Sequence, residues 1–314
     1  MVLSADAQDD VIAAGLFPLR QHVSLANYTS YRVGGKAEWF SIPKTIDQLT
    51  SSLRWAAHRE MPVTLLGAGS NLLVSDRGLP GLVVCSRHLR GVSFDEAAGR
   101  LTVAGGEPLP HLAWKAARKG WRGLEWTVGV PGTVGGAVFM NAGAHGSCTA
   151  DTLIEAEGIT LAGDRVTLRP EDLQFSYRTS SLQSQLRIVT QAVFQLSPGH
   201  HPDRVVADTQ AALDRRRSTQ PYHLPSCGSV FRNPGSYAAG WLIEQTGLKG
   251  YQIGGAQVST LHANFIVNCG MATAQDVLSL IQYVQTQVEQ QWSLRLHPEV
   301  RLMGNFESGS LATL

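Results

Sequence analysis

The sequence predicts an α+β protein of two or three domains, on three observations. Its 314 residues are enough for more than one hydrophobic core. Short apolar runs are interspersed with longer stretches of helical period. Two glycine-rich loops, one following directly on a strand, break that pattern where a chain would have to pass close to a bound molecule.

The elements follow in order. Residues 45–60 set Ile46, Leu49 and Leu53 at helical spacing, with Thr45 and Gln48 placed as a capping box, and residues 63–66 follow as a buried strand. Residues 82–85, 101–105 and 188–196 read as strands, and 109–119 as a short helix stopped at Gly120. Residues 203–217 form a helical stretch that ends before Pro221. The clearest helix is 273–292, with Val277, Ile281, Val284, Val288 and Trp292 on one stripe and Thr273 and Asp276 at its cap. The polar run SPGHHP at 197–202 marks a domain boundary.

Charge and cysteine content exclude several classes. With 26 basic and 25 acidic residues the net charge is +1, which gives no global field for nucleic acid. The one basic run, Arg215-Arg216-Arg217, reads as a solvated helix face. The four cysteines, Cys85, Cys148, Cys227 and Cys269, are widely separated and suggest neither a metal site nor a disulfide framework. The amino terminus has no basic start or apolar core, and no eighteen apolar residues run together. The expectation is a cytoplasmic protein, neither exported nor membrane-spanning, acting as a monomer with an oligomer left open.

The segment GVPGTVGGAVFMNAGAHG (129–146) holds six glycines in eighteen residues. A linker would be Ser-rich and solvated, whereas Val130, Pro131, Val134, Val138, Phe139 and Met140 here point to a tight loop buried against a cofactor. Upstream, the strand at 63–66 runs into Gly67-Ala68-Gly69-Ser70-Asn71. The Rossmann fingerprint needs a third glycine where Leu72 stands, and no G-K-[ST] follows for a P-loop. What remains is a strand-to-loop turn whose amides, with the Ser70 hydroxyl and Asn71 amide, suit a pyrophosphate.

These two loops, in this order, resemble the FAD-binding fold of the vanillyl-alcohol-oxidase and CO-dehydrogenase flavoprotein (PCMH) type. Five further blocks sharpen the likeness: NYTSYRVGGKAEWF (27–40), FSYRTS (175–180), PSCGSVFRNP (225–234), AGWLIEQTGLKGYQIGGAQVSTLHANFIVN (239–268) and HPEVRLMG (297–304). Together they resemble the MurB family, the UDP-N-acetylenolpyruvoylglucosamine reductases of peptidoglycan synthesis, from about residue 24 to about residue 304. The resemblance implies an FAD-binding domain at 15–201, with subdomains at about 15–85 and 86–201. It further implies an α+β substrate-binding domain at 202–314, whose last residues return toward the active site. It also implies non-covalent FAD held by Gly67, Ala68, Gly69, Ser70, Asn71, Gly129, Pro131, Gly132, Thr133, Gly135, Gly136, Asn141, Ala142 and Gly143.

The implied reaction is NADPH-dependent, FAD-mediated reduction of UDP-N-acetylenolpyruvoylglucosamine to UDP-N-acetylmuramate. Hydride addition beside a carboxylate leaves an enolate-like dianion, which needs a donor at the carboxylate and an acid for the adjacent carbon. Ser229 falls on the family's proton donor. A serine hydroxyl is a weak acid, yet it can protonate a carbanion more basic than itself. Arg178, in FSYRTS, matches the family's arginine at intermediate and flavin, and its planar fork suits a carboxylate gaining charge. Glu299, in HPEVR, lies in the family beside the substrate carboxylate, where an ionised Glu would repel the dianion and a raised pKa is expected.

For the UDP-sugar, Tyr177, Arg232, Asn233 and His262 are the candidate substrate contacts, with Arg232 where the family carries Lys. A lone His beside a strand is more often a satisfied core residue than a ligand. The short interval between Arg178 and Ser229 resembles the class without the extra substrate-closing loop. Cys227 reads as small packing. A flavin oxidase of the same fold, acting on an alcohol or lactone, is the alternative, and the carboxy-terminal blocks argue against it.

Overall fold

A computed structural model describes residues 19–235 and 237–306. The amino-terminal segment, the first residues of the expected FAD domain and the carboxy-terminal residues expected to return toward the active site lie outside the described residues. The chain divides into two compact units. Of the described residues, the first takes 19–22, Glu38–Ala68 and Gly81–Asp214; the second takes Val23–Ala37, Gly69–Pro80 and those from 215 to 306. This differs from the contiguous division at 202, because two early loops belong with the carboxy-terminal segment and the later boundary, between Asp214 and Arg215, falls within the helix Pro202–Thr219.

Two sheets build the first unit. One runs in the order Leu19–Ser24, Lys36–Ser41, Leu79–Cys85, Val63–Leu66, and its last pair is parallel, with Val63 opposite Leu82 and Leu66 opposite Cys85. The helix Ile46–Ala57 starts where the sequence placed it, at Thr45, whose side chain accepts from the Gln48 amide at 3.2 Å. Gln48 reaches back one residue further than a standard box, accepting from the Lys44 amide at 2.8 Å. Leu49, Leu53 and Ala56 on its inner face pack with Leu82, Val84, Ile159 and Ile188.

The second sheet is antiparallel throughout, in the order Arg165–Leu168, Leu153–Thr160, Arg187–Gln195, Arg100–Ala104, Val92–Asp95. The helices Leu109–Arg118 and Val134–Met140 cover it, through Leu112, Ala116, Val134 and Val138. The glycine-rich segment is therefore not loop throughout, since its middle is a two-turn helix. Thr133 caps that helix by accepting from the Gly136 amide at 3.3 Å, and small residues there let its backbone lie close to the sheet.

In the second unit the helix Ala274–Trp292 buries Val277, Ile281, Val284 and Val288. Its capping box between Thr273 and Asp276 is complete. Asp76 adds a second cap, its two oxygens accepting from the Ala274 and Gln275 amides at 2.9 Å each. Trp292 is partly buried and donates its indole N–H to Thr246 at 3.1 Å. Beside it lie a three-stranded antiparallel sheet, Gln252–Ile253, Ala256–Val258 and Ile266–Asn268, and a parallel pair of Leu72–Val74 with Arg301–Met303. All four cysteines are free thiols. Among the described residues no helix is long and apolar enough to cross a membrane.

Candidate active site

In the first unit the two glycine loops meet. A Cβ placed on Gly67 would lie 2.8 Å from Thr133 Oγ1, closer than such atoms approach, so a side chain there would displace the hydroxyl that caps the helix Val134–Met140. Arg87 fixes the outgoing chain, its guanidinium donating to the carbonyls of Gly67 at 3.0 Å and Ala68 at 2.6 Å. Turning both carbonyls toward one cation leaves the amide edge of the turn to face elsewhere. In the second loop the Val134 amide donates to Glu107 at 2.9 Å and the Gly135 amide to Gly105 at 2.8 Å. With Gly136 donating to Thr133, the amides of Gly135 and Gly136 are spent within the protein, and these glycines serve close packing rather than ligand amides. Among the described residues no acceptor is found for the Gly132 and Thr133 amides, just before the helix.

Past the helix, Asn141 caps in the left-handed region with φ 41°. Its buried side chain donates to the Ser176 carbonyl at 3.0 Å and accepts from the Ala150 amide at 3.1 Å. The Ala142 carbonyl accepts from the Thr149 amide, and Gly143 pairs with Cys148. Gly129 ends the turn Glu125–Gly129, where it is buried, and Pro131 stands two residues on. The polar atoms of Asn141 thus build the loop and tie it to FSYRTS. Ser180 Oγ and Gln183 Nε2 complete that tie, donating to the Phe139 carbonyl at 2.7 and 3.2 Å.

Arg178 stands at the tip of a tight turn in which Ser176 and Thr179 exchange amide-to-carbonyl bonds of 3.1 Å both ways. Its φ of 58° is a left-handed conformation costing an arginine about 1–2 kcal/mol, strain of the kind that collects at functional sites. The Gln183 side chain donates to the Arg178 carbonyl at 3.0 Å, and the guanidinium lies 5.3 Å from the ring centre of Tyr177, which is 56% exposed.

The second unit brings Ser229 and Glu299 onto neighbouring paired segments. The Glu299 amide donates to the Val230 carbonyl at 2.7 Å, and the Arg232 amide to the His297 carbonyl at 2.9 Å. Asn71, from the first glycine loop, accepts on its main-chain carbonyl from the Arg301 amide at 3.0 Å and donates its side-chain amide to the Glu299 carbonyl at 3.1 Å. Its side chain thereby holds the segment that carries Glu299. In the same unit the Gly69 carbonyl accepts from the Ser30 amide at 3.0 Å, and any Cβ on Gly69 would strike the Tyr28 carbonyl. Ser70 adjoins it, partly exposed.

Arg232 sits close enough to Arg301 for its charge to add to burial in lowering the Arg301 pKa. Two guanidinium groups together in one place favour an anion. Asn233 is exposed and its Oδ1 accepts from the Ala239 amide at 3.0 Å, at the start of the helix Ala239–Gln245. His262 Nδ1 accepts from the Asn264 amide at 3.2 Å, and its ring is tilted on Phe265 with centres 4.9 Å apart. Burial lowers its pKa, so it is a neutral imidazole with one nitrogen already used. Cys227 is buried against Tyr31. Burial pushes its thiol up to about 12, and the Glu299 carboxylate adds to that push. Sequence reasoning missed Arg87 and Asn264, whose partners are backbone groups and leave no spacing pattern.

Residues 37–169 match a family described as an FAD binding domain. Residues 220–303 match the carboxy-terminal domain of UDP-N-acetylenolpyruvoylglucosamine reductase. Across 92% of this chain and 87% of its own length, the UDP-N-acetylenolpyruvoylglucosamine reductase of Nostoc punctiforme is 58% identical. The chain belongs to the MurB family. The MurB enzyme of Synechococcus elongatus is 55% identical over 92% of this chain and 96% of its own. The crystal structure of MurB from Thermus caldophilus superposes with a TM-score of 0.78 at 36% identity, covering 91% of this chain and all of that one. The FAD-binding fold and MurB-type carboxy-terminal domain expected from the sequence are those the chain has.

Proposed function

We propose that the chain catalyses the NADPH-dependent, FAD-mediated reduction of UDP-N-acetylenolpyruvoylglucosamine to UDP-N-acetylmuramate, supplying the cell wall precursor pathway. The observation that carries the reading is the pairing of the Ser229 and Glu299 segments, with Glu299 N donating to Val230 O at 2.7 Å, inside a MurB-type domain.

The residues present fit FAD. The close approach of Gly67 to Thr133 forms a cradle that a side chain would fill, and the Gly132 and Thr133 amides stand at its edge. Residues 67–71 and the loops at 129–133 and 141–143 would hold the cofactor, partly by contact and partly by shaping the turn. Bound FAD would supply two-electron chemistry, taking hydride from NADPH and giving it to the vinyl carbon of the substrate. Nothing at a recognisable attachment position suggests a covalent link.

The chain's own groups do the rest. Ser229 holds a proton on its hydroxyl and delivers it to the carbon beside the substrate carboxylate. Arg178 offers paired N–H donors to that carboxylate as its charge grows, and Glu299, protonated or hydrogen-bonded, stabilises the enol form. Arg232 and Asn233 face the substrate pyrophosphate, with Tyr177 at the open side. His262 takes a lesser part through its one remaining nitrogen. The carboxy-terminal match leaves the oxidase alternative without support. Two functional domains, 15–201 for FAD and 202–314 for substrate, fit this reading, as does a cytoplasmic monomer.

The test is anaerobic. The purified protein should be yellow, should bleach on adding NADPH, and should regain colour on adding the UDP-enolpyruvyl sugar. Bleaching followed by reoxidation with oxygen but not with that sugar would overturn the reading.

A further inference from the structure

We propose that Asn264 is the positioning residue for Ser229, its side-chain amide acting as the missing strand beside the segment that carries the proton donor. The proposal rests on the reading of Ser229 as that donor.

Residues 230–232 pair on one side with 297–300. Phe231 faces Pro298 there as a non-hydrogen-bonded pair, so the polar atoms of Phe231 point the other way. Phe231 is buried, and an unmatched amide and carbonyl there would be costly. Asn264 satisfies both. Its Oδ1 accepts from the Phe231 amide at 2.9 Å and its Nδ2 donates to the Phe231 carbonyl at 2.8 Å. Its own carbonyl accepts from the Val230 amide at 2.9 Å. A side chain needs one donor and one acceptor on a planar group to do this, which an amide has and a carboxylate lacks.

Asn264 is rigid enough for the task. It is 4% exposed, and its amide is held by His262 Nδ1 within a turn where Ser259 Oγ accepts from the Leu261 and His262 amides at 3.2 and 3.3 Å. On the other side of Ser229, Gly228 has a φ of 80°, the left-handed region that favours glycine, and follows the buried Cys227. Immediately after Ser229 the chain is held on both sides, by Asn264 and by the 297–300 segment, and these contacts place the hydroxyl. Misplacing a reacting group by an ångström costs about 10²-fold in rate.

The experiment measures each half-reaction by stopped flow in Asn264→Asp, which keeps the shape and the acceptor but loses the donor. Flavin reduction by NADPH should stay within about 2-fold, while reoxidation by the UDP-enolpyruvyl sugar should fall about 10- to 100-fold. Asn264→Gln, which keeps both groups on a longer arm, should fall between; it also serves if the Asp variant does not fold. In a Ser229→Ala background the Asp or Gln change should cost no more than about 2-fold further, because there is no hydroxyl left to misplace. Equal slowing of both half-reactions, or a loss that persists in the Ser229→Ala background, would overturn the positioning role. Normal reoxidation by Ser229→Ala alone would instead remove the reading on which it rests, and the proposal with it.

Discussion

Ser229→Ala is the substitution that separates this chemistry from that of a general flavoprotein. It should leave the visible spectrum and reduction by NADPH nearly intact, and slow reoxidation by substrate about 10²- to 10⁴-fold, the range for a positioned general acid. In deuterated water the wild-type product should carry solvent deuterium on the carbon beside the carboxylate; normal turnover by the Ala variant would leave that proton to another group. Cys227, two residues earlier, gives a different residue-scale expectation. Its folded pKa is raised from 9.0 to about 12, so the fold favours the protonated thiol. Its contribution to stability is complete below about pH 9 and is lost as pH rises toward 12. Replacing Cys227 by Ala should therefore flatten the alkaline fall in stability over that window, measured by urea unfolding. At pH 8 an aromatic disulfide reagent should label exposed Cys269 in the native protein and Cys227 only after unfolding. Rapid native labelling of Cys227 would show that its burial is not as described. Ser229, Arg178 and Glu299 were open to proposal from the sequence because each sits in a block of specific neighbours. Arg87 and Asn264 were not, because a side chain bonded to backbone carbonyls or amides imposes no residue type on its partner.

At the scale of elements, the sequence was read best where the signal was local. The helix Ala274–Trp292 announced itself by its stripe and its Thr273–Asp276 box, yet its second cap, Asp76, comes from far upstream and could not be seen. The central strand Leu153–Thr160 was missed for a related reason. Its Glu155, Glu157 and Gly158 look like surface or turn residues, and only pairing on both edges makes it a strand. Glycine lowers helix propensity, so the glycine-rich segment reads as a loop, whereas sheet packing and the Thr133 cap make a helix of its middle. The meeting of Gly67 and Thr133 gives the element-scale prediction. Gly67→Val should displace the Thr133 hydroxyl, fill the space between the two loops and weaken FAD binding by at least about tenfold, corresponding to roughly 1.4 kcal/mol. Gly91→Ala, whose Cβ would make only an ordinary contact at 3.8 Å with Ala104, should bind FAD as the wild type does. Flavin fluorescence titration of the apoprotein checks both. Equal affinity in the Val variant would separate the cradle from the cofactor.

For the whole molecule, the sequence reads as contiguous stretches, with the domain boundary at a polar run near residue 202, while the compact units are each assembled from three separate segments. Composition marks a linker but carries no trace of long-range pairing. Leu72–Val74 lies parallel to Arg301–Met303, with Arg301 opposite Leu72, and nothing in either short apolar run names the other as its partner. Parallel pairing at such separation depends on the rest of the fold being in place. A cofactor that binds only the folded chain should therefore act on stability through the loops that such pairing holds in place. With free FAD at about 100 times its Kd, linkage gives roughly 2.7 kcal/mol of stabilisation, and the gain should grow with the logarithm of FAD concentration. Thermal unfolding of apoprotein against a series of FAD concentrations measures it, with Gly67→Val as the comparison in which the same FAD series should give a smaller shift. The released flavin should be recovered free after heat denaturation, since no covalent attachment is expected. A melting temperature indifferent to FAD in the wild type, or flavin retained on the denatured chain, would mean that the glycine loops do not hold a non-covalent cofactor.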